Sequence, residues 1–561
     1  LTRPPLTARI ITSSLTPPQR PQLTYNNSTY VRSTKLNNYS TILSRFCIWT
    51  AETPIRPMFL LVTGATVLGI LSCILLLAIK LLYYRPRKPN HPPFIGPDLW
   101  TNIALLTDTT ACTGGTHPHD LYHSIDEFGK TSVGAVFQLY MMTKDFVVVA
   151  DYKLARLILV GDSAKGIKES EKTSHARAFD LFPYVGSIFS SLTSDPLRHK
   201  ARKYLAPCFS FSNLQYTFKV IMNSLVTCQH KLSAYAKEGS VFDLNDVMIH
   251  LTFDVITESS FGVNWHTQKE DEVSDGTVFL HESEIRLREG FRRTLNPIRK
   301  YFFWLEAYRR LDVARDRLSN ILRKVIQEYR DQKDDNVVDK SIMGHLMSHE
   351  YATEDMRIAD MNTFLTAGHE TTSHTLTMML VALARHPSAL AKLQAELDAN
   401  IPPSARLDVE HFPSTATIRA LPYLSGCINE AMRLHPVGAA GSKRTTLSDI
   451  EYEGMVIPKG STILLAFYSM YRQPWIDRAE EFLPERWDAS NPQEKELRTM
   501  LMPFVQGGRN CIGQNLAKVE IWLIAAYLLR FFEFELLSEP HYEIFLTMKA
   551  ANVRVKAHLR A

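Results

Sequence analysis

The chain of 561 residues is long enough to bury a sizeable core, in one large domain or in several average ones. Its composition, 45% hydrophobic and 22% charged, is ordinary for a globular protein, and a net charge of +5 does not indicate a body that binds nucleic acid. The seven cysteines include no CxxC pair, which argues against a zinc cluster or a disulfide scaffold and favours free thiols in a reducing compartment.

Residues 1–57 are rich in Ser, Thr and Pro, lack a regular apolar period and contain no Met, so we predict a disordered segment. Basic side chains accompany a single acid, Glu52, which is the balance of an organelle transit peptide. Two interpretations stay open. Our hypothesis is that the segment is upstream translation and that the protein starts at Met58; the alternative is a genuine leader. Peptides from 1–57 in the native protein would contradict the hypothesis.

Residues 58–79 carry no charge and would reach about 33 Å as a helix, enough to cross a hydrocarbon core of about 30 Å. We therefore predict a transmembrane anchor over 58–84. Basic residues cluster at 80–88, so the positive-inside rule places the downstream body in the cytosol. Closely spaced prolines then predict a stiff hinge over 85–97.

The remaining chain, 98–561, shows no repeat, low-complexity linker or second break in composition. Long amphipathic windows with apolar residues three and four apart predict helices, for example over 304–330 and 388–400. Strand patterns are fewer and shorter, at 146–150, 455–458 and 462–466. The sequence therefore predicts one mainly α domain with a small β portion.

A cysteine loop near the C-terminus is the strongest motif. Phe504, Gly507, Arg509, Cys511 and Gly513 form the pattern F-x-x-G-x-R-x-C-x-G. The glycines allow close backbone approach to a bulky planar ligand, and the arginine suits a carboxylate. A helix is predicted directly after the loop, so its N-terminus would stabilise a cysteine thiolate.

Glu430 and Arg433 have the i, i+3 spacing that is most often a helix-surface salt bridge. A further arginine, Arg486, lies downstream in the segment Phe-Leu-Pro-Glu-Arg-Trp at 482–487. Each piece is weak alone. The order of these three residues along the chain supports a specific structural role only when it is considered together with the cysteine loop.

A polar motif, Ala-Gly-His-Glu-Thr-Thr at 367–372, lies within an apolar helix predicted over 355–385. Gly and paired Thr are locally unfavourable in the middle of a helix. The motif is either a tolerated polar patch or a place where the Thr371 hydroxyl competes for a backbone carbonyl and opens the helix.

Basic residues cluster at 198–203, where Arg198 and Arg202 are four residues apart. Such residues form a solvated face, dock an acidic redox protein, or bind carboxylates.

The cysteine loop resembles the haem-binding loop of the cytochromes P-450, and the other segments follow in that family's order, so the resemblance covers about 86–561. It implies a cytochrome P-450 fold in which Cys511 is the axial ligand of the iron in haem b. One departure is Arg198, which stands where the family has Trp. The resemblance implies haem-binding roles for Arg202, Arg444, Arg509, Phe504, Gly507 and Gly513, and a structural cluster of Glu430, Arg433 and Arg486.

The same resemblance implies that Thr371 and Glu370 deliver protons and that Gly368 makes room for dioxygen. The expected reaction inserts one atom of O2 into a lipophilic substrate, and 179–192 is the candidate substrate-contacting segment. The other interpretation of that segment is ordinary core packing. The implied electron source is NADPH, through a separate cytochrome P-450 reductase at the endoplasmic reticulum membrane, with cytochrome b5 as a second candidate partner. A real transit peptide would mean another organelle's membrane. The alternatives are a haem-thiolate isomerase or dehydratase acting on peroxides, and a non-catalytic haem-binding sensor.

Overall fold

A computed structural model describes most of the chain from residue 135 onward. The described residues are 69, 74, 94–95, 135–141, 144–173, 179–182, 184–211, 213–269, 273–295, 306–332, 339–406, 409–439 and 443–560. Residues 1–85 form one unit and 86–561 another. The predicted disordered segment 1–57 lies outside the described residues, as do nearly all of the predicted anchor 58–84 and hinge 85–97. Within the described part of the chain, no helix has the length and apolarity needed to cross a membrane.

Helices are the main secondary structure among the described residues of the second unit. In chain order they are α1 Tyr152–Val160, α2 Pro196–Leu205, α3 Gln215–Glu238, α4 Leu244–Phe261, α5 Asp275–Leu295, α6 Glu306–Gln332, α7 Ile342–Ser348, α8 Glu354–Arg385, α9 Pro387–Asn400, α10 Thr415–Arg419, α11 Pro422–Leu434, α12 Phe467–Met470, α13 Glu494–Met500 and α14 Gln514–Phe531.

The strands are short, and most of them lie either before residue 173 or after residue 442 in the chain. They are β1 Phe94–Ile95, β2 Val136–Met141, β3 Lys144–Val149, β4 Glu171–Lys172, β5 Phe242–Asp243, β6 Lys443–Thr445, β7 Ile450–Tyr452, β8 Met455–Ile457, β9 Thr462–Leu465, β10 Phe532–Leu536, β11 His541–Ile544, β12 Met548–Ala551 and β13 Arg554–Leu559.

Helix α8 crosses the core. The Thr353 side chain caps its first turn by accepting a hydrogen bond from the Met356 amide, at 3.3 Å. The helix ends at Arg385, two residues before Pro387, because a residue that precedes proline disfavours helical dihedrals. Its side chains are buried along most of its length, and it packs against α4, α11 and α14.

Helix α14 is the second central element. Every side chain from 519 to 531 is buried, so this part of the helix is surrounded by protein on all sides, and most of these side chains are apolar, as in a core helix. Its N-cap is Gly513, which places the start of the helix directly after the cysteine loop. The core of the domain therefore fixes the end of that loop.

The largest sheet has the strand order β1-β2-β3-β9-β6-β4. Strand β3 pairs with β9 in parallel, and β6 pairs with both β9 and β4 in antiparallel fashion. The register places Lys172 of β4 opposite Arg444 of β6. A three-stranded sheet, β10-β13-β5, and the hairpins β7–β8 and β11–β12 complete the β portion.

The prediction of a mainly helical domain with a small β portion is confirmed. The predicted helix 388–400 is α9, extended by one residue at its start, and the strand predicted at 146–150 is β3, shifted to an earlier start. Residues 301–305 lie outside the described residues, so the predicted helix start at 304 stays a prediction.

Candidate functional site

The cysteine loop folds back on itself in front of α14. The Cys511 amide donates a hydrogen bond to the Phe504 carbonyl over 2.8 Å, and a short 3-10 helix spans Gly507–Arg509. Gly507 has φ +77°, and a side chain there would collide with the backbone carbonyl of Leu159 in α1. Close packing against α1 therefore requires glycine at 507.

The second glycine of this loop, Gly513, is not required by the protein itself. Gly513 has φ −84°, which any residue adopts, and an added Cβ would lie in ordinary contact with the Phe209 ring, at 3.7 Å. Neither dihedral strain nor crowding by the protein requires glycine at 513. Its haem-binding role stays a prediction.

The Cys511 side chain is accessible, whereas Cys208, Cys228 and Cys427 are buried. Burial raises the pKa of both Cys208 and Cys228 to about 12, so these thiols stay protonated. Desolvation by the surrounding protein also raises the pKa of Cys511, but the hydrogen bond from the Gly513 amide and the positive charge of Arg202 lower it. A bound metal cation would complete the deprotonation, because a thiol that coordinates a metal loses its proton.

A short stretch of α8 is accessible although the helix around it is buried. Ala367 is exposed, and Gly368 and Thr371 are partly exposed. The Thr371 hydroxyl donates to the Ala367 carbonyl over 2.9 Å, and the Thr375 hydroxyl donates to the Thr371 carbonyl over 2.8 Å. The expected competition for a carbonyl is observed, but the helix is continuous through 367–372 and does not open. A carbonyl has two lone pairs, so it can accept the hydroxyl without losing its helical partner.

The absence of a side chain at Gly368 has a packing cause that the sequence did not reveal. A Cβ at this position would lie 2.6 Å from Cγ1 of Ile256 in α4. The close approach of α4 to α8 therefore requires glycine here. The predicted role of Gly368 in making room for dioxygen is not needed to explain the residue.

Glu370 lies next to Thr371 in sequence but its carboxyl meets other groups. Burial raises its pKa to about 7, opposed by the charge of Lys549, by the Thr547 hydroxyl and by the charge of Arg286. One carboxyl oxygen, Oε2, is buried without a hydrogen-bond partner. A carboxyl with such a pKa exchanges protons near neutral pH.

Five cations lie around the cysteine loop, and we call them the cation cluster. They come from β4, α2, β6 and the loop itself: Lys172, Arg198, Arg202, Arg444 and Arg509. Asp195 caps α2 by accepting from the Leu197 amide over 2.9 Å, and the four-residue spacing of Arg198 and Arg202 places both on one side of the helix.

Two members of the cation cluster are already hydrogen-bonded within the loop region. Arg202 donates to the side-chain oxygen of Asn510. Arg509 donates to backbone carbonyls at 3.4, 2.9 and 2.7 Å, those of Ile188, Phe189 and Ser191. Burial, together with the charges of Arg198 and Arg444, lowers the pKa of Arg509 to about 9.

Two other members retain free donors. Arg198 is 3% exposed and Arg444 is 2% exposed. In the described structure the Nε and Nη1 atoms of both side chains are buried without a hydrogen-bond partner. Burial lowers the pKa of Arg444 to about 10, and the charge of Arg198 acts in the same direction. These arginines are placed for an anion that the described residues do not supply.

The candidate substrate segment 179–192 is anchored by its polar groups. Asp360 of α8 accepts from the Ile188 amide over 2.7 Å, and Arg286 of α5 donates to the Phe179 carbonyl. Within the segment, Asp180 accepts from the hydroxyls of Ser187 and Ser190. Sequence reasoning missed Asp360 and Arg286, because no motif connects α5, α8 and this segment.

The three residues predicted to form a structural cluster do meet. Arg433 donates to Glu430 at 2.9 and 2.8 Å, and Arg486 donates to Glu430 at 3.1 Å. All three are buried, so Glu430 and Arg433 do not form a surface salt bridge. Trp487, which sequence reasoning missed, adds an indole hydrogen bond to Glu430 of 2.9 Å.

A family model described as cytochrome P-450 matches residues 102–556. The chain belongs to the cytochrome P-450 family. It is 31% identical to cytochrome P-450 3A11 of Mus musculus over 363 residues, which cover 62% of this chain and 69% of that protein. It is 29% identical over 429 residues to the chloroplastic protein LUTEIN DEFICIENT 5 of Arabidopsis thaliana, which covers 72% of this chain and 68% of that protein.

The chloroplastic carotene epsilon-monooxygenase of Arabidopsis thaliana is 25% identical over 465 residues, covering 78% of this chain and 80% of that protein. A crystal structure of the cytochrome P-450DA heme domain superposes with a TM-score of 0.69 and 21% identity, over 84% of this chain and 98% of that one, which supports the fold. With its family and these relatives, the protein is a cytochrome P-450 monooxygenase. The family uses haem b, O2 and reducing equivalents from a redox partner, and acts on lipophilic compounds.

The described residues fit a haem. Cys511 offers the accessible thiol that a haem-thiolate protein needs. Haem also carries two carboxylates, and the free donors of Arg198 and Arg444 match that chemistry. The iron and the carboxylates of a haem thus each have candidate partners around the cysteine loop.

Proposed function

We propose that this cytochrome P-450 is a membrane-anchored enzyme that inserts one atom of O2 into a lipophilic substrate, with electrons from a separate NADPH-dependent reductase. The single observation that carries the haem-thiolate site is the accessible Cys511 thiol in front of α14, beside buried arginines with free donors. The bound haem supplies the iron that activates dioxygen.

The residues of the chain have distinct parts in this proposal. Cys511 holds the iron, and Arg202, Arg444 and Arg509 hold the haem carboxylates. Thr371 donates a hydrogen bond that can be redirected from the Ala367 carbonyl toward a ligand at the accessible face of α8. Glu370 has a pKa of about 7 and supplies protons to this region.

The Glu430, Arg433 and Arg486 cluster has a structural part. It joins α11 to the 482–487 segment, which leads toward the cysteine loop. Phe504, Gly507 and Gly513 shape the loop itself. None of these residues is proposed to touch the reacting atoms.

The partner and the membrane follow from the sequence before residue 98 and from the family. The charge-free run 58–79 supports a single membrane span, with the catalytic unit on the cytosolic face of the endoplasmic reticulum. Two of the similar plant proteins are chloroplastic, which supports another organelle if 1–57 is a true leader. An NADPH-cytochrome P-450 reductase, with cytochrome b5 as an accessory, is the proposed electron donor.

One reconstitution tests the proposal. The protein, a microsomal reductase and NADPH are combined, and the CO-difference spectrum and the product formed per NADPH are measured for the wild type, Cys511→Ser and Thr371→Ala. We expect a thiolate-type Soret shift in the wild type and in Thr371→Ala, and its loss in Cys511→Ser. Thr371→Ala should form product roughly a hundredfold more slowly, at the lower end of general acid–base effects, and should form less product per NADPH.

Cys427→Ser is the matched control, because Cys427 is a buried cysteine outside the loop. A thiolate-type spectrum that survives in Cys511→Ser would contradict the ligand assignment. Turnover of a lipid hydroperoxide without NADPH would favour the isomerase or dehydratase. A CO spectrum without any NADPH-dependent product would favour the sensor.

A further inference from the structure

The charge of the cation cluster is not balanced by its neighbours. Glu169 and Glu171 act on both Arg198 and Arg444, Asp195 acts on Arg198, and Asp180 acts on Lys172. Glu169 already accepts from the Gly508 amide over 2.8 Å, and Glu171 accepts from the amides of residues 193 and 194. Asp195 and Asp180 also accept hydrogen bonds, from the Leu197 amide and from two serine hydroxyls. Four acids that are engaged elsewhere thus face five cations, so the cluster has an excess of positive charge.

Arg198 shows the imbalance most clearly. One guanidinium nitrogen, Nη2, donates to the Gly508 carbonyl over 2.7 Å. The Nε and Nη1 atoms are buried and have no hydrogen-bond partner in the described structure. Leaving a buried charged donor unpaired is costly, so a partner from outside the chain is favoured. Its burial also contradicts the interpretations of Arg198 as part of a solvated face or a docking surface for a redox protein.

Two cations converge on the same place from the sheet. The register of β4 and β6 places Lys172 opposite Arg444. The Lys172 ammonium lies 4.0 Å from the centroid of the Phe189 ring. Burial and the charges of Arg444, Arg509 and Arg198 lower the pKa of Lys172 well below its usual value, because like charges close together disfavour one another.

We propose that Arg198 is a haem carboxylate-binding residue in this chain, acting together with Arg444 and with the nearby charge of Lys172. The family pattern has a neutral tryptophan at this position; here a charged donor replaces it. A charged hydrogen bond is stronger than a neutral one, so retention of haem depends on ionised carboxylates and on Arg198. The inference rests on the proposed haem-binding function.

The test pairs a variant of the protein with a variant of the cofactor. Apoprotein is loaded either with haem or with its dimethyl ester, in which both carboxylates are neutral, and release to an excess of a haem-scavenging globin is timed. With haem, Arg198→Gln should release the cofactor roughly ten- to a hundredfold faster than the wild type. With the ester, the two proteins should differ by less than about threefold, because the charged contact is absent from both.

Lys200→Gln is the control, since Lys200 is an exposed cation on the same helix. If Arg198→Gln accelerates release no more than Lys200→Gln, or accelerates release of the ester as much as of haem, the proposal is wrong. Arg198→Lys keeps the charge but has fewer fixed donors. With haem, its rate of release should lie between those of the wild type and Arg198→Gln, and with the ester it should not differ from the wild type. This variant decides the question even where Arg198→Gln fails to fold.

The CO-difference spectrum separates this inference from the proposed function. Arg198→Gln loaded with haem should keep the thiolate-type spectrum, because Cys511 is unchanged. A wild-type protein without that spectrum would overturn the proposed function first, whatever the release rates show.

Discussion

Among the described residues, two buried groups of arginines differ in one respect. Around Glu430, the donors of Arg433 reach the carboxylate and the carbonyls of Tyr471 and Ala479, at 2.8 and 2.7 Å. In the cation cluster, Arg198 and Arg444 keep buried donors without partners. The first group is complete within the chain, and the second requires an anion from outside.

This difference separates a structural role from a binding role. A buried ion pair whose hydrogen bonds are satisfied makes the fold depend on it, since the loss of one partner leaves an uncompensated charge. A buried cation without a partner destabilises the empty protein and stabilises the complex with its ligand. Substitutions in the two groups should therefore change stability in opposite directions.

The largest effect is expected for Glu430→Gln. The substitution leaves Arg433 and Arg486 buried without their counter-charge, and should lower the free energy of unfolding of the apoprotein by about 3–5 kcal/mol. Urea unfolding measures this. Glu481→Gln is the control, because the Glu481 side chain forms an exposed pair with Arg478 and its backbone carbonyl, which accepts from Arg433, is unchanged by the substitution. It should change stability by less than about 0.5 kcal/mol. Equal effects of the two variants would remove the contrast.

The next effect concerns a buried acid that has no arginine. Glu520 in α14 is 1% exposed, accepts from the Thr372 hydroxyl at 3.3 Å, and has its pKa raised to about 8 by burial. Its folded-state pKa lies above the ordinary 4.5, so the native state holds this proton to higher pH than the unfolded state does. Its contribution is therefore unfavourable above pH 4.5 and grows until about pH 8.

We expect the wild-type apoprotein to lose roughly 2–3 kcal/mol more stability than Glu520→Gln between pH 5 and pH 7. Glu370, whose pKa is also raised, contributes equally to both proteins and cancels in the difference. Parallel stability curves for the two proteins over this range would mean that Glu520 is ionised in the native state.

The smallest effect has the opposite sign. Arg444→Met removes a buried cation with unpaired donors and should raise the stability of the apoprotein by about 1 kcal/mol. Arg433→Met, the same change in the complete cluster, should lower it. Thermal unfolding of both apoproteins gives the comparison, and destabilisation by Arg444→Met would show that its donors have partners within the chain.

The sequence was sufficient to predict the mainly helical fold, the cysteine loop and the cluster of Glu430, Arg433 and Arg486, because each depends on local spacing or on a family motif. It was not sufficient for the pairing of Lys172 with Arg444, since strand register across a long stretch of chain leaves no local signal. It also could not show that Trp487 completes the Glu430 cluster.

Two glycines show a different limit. Both Gly368 and Gly507 were predicted to make room for a ligand, yet each is explained by a neighbour within the protein, Ile256 in one case and Leu159 in the other. A sequence shows that a position lacks a side chain but not which contact excludes one. The sequence also left two interpretations of the 367–372 motif, a tolerated polar patch or an opened helix, and only the structure shows that the Thr371 hydroxyl shares a carbonyl while α8 stays continuous.

The hydrogen bonds of Arg509 have a consequence for engineering this enzyme. They fasten the carbonyls of residues 188, 189 and 191 to a side chain two residues before Cys511. The segment proposed to meet the substrate and the loop proposed to hold the iron are thus one hydrogen-bonded piece. A chimera that replaces 179–192 with a relative's sequence therefore has to keep these three backbone carbonyls in position. Otherwise, a change made for substrate selectivity will also alter the position of Cys511.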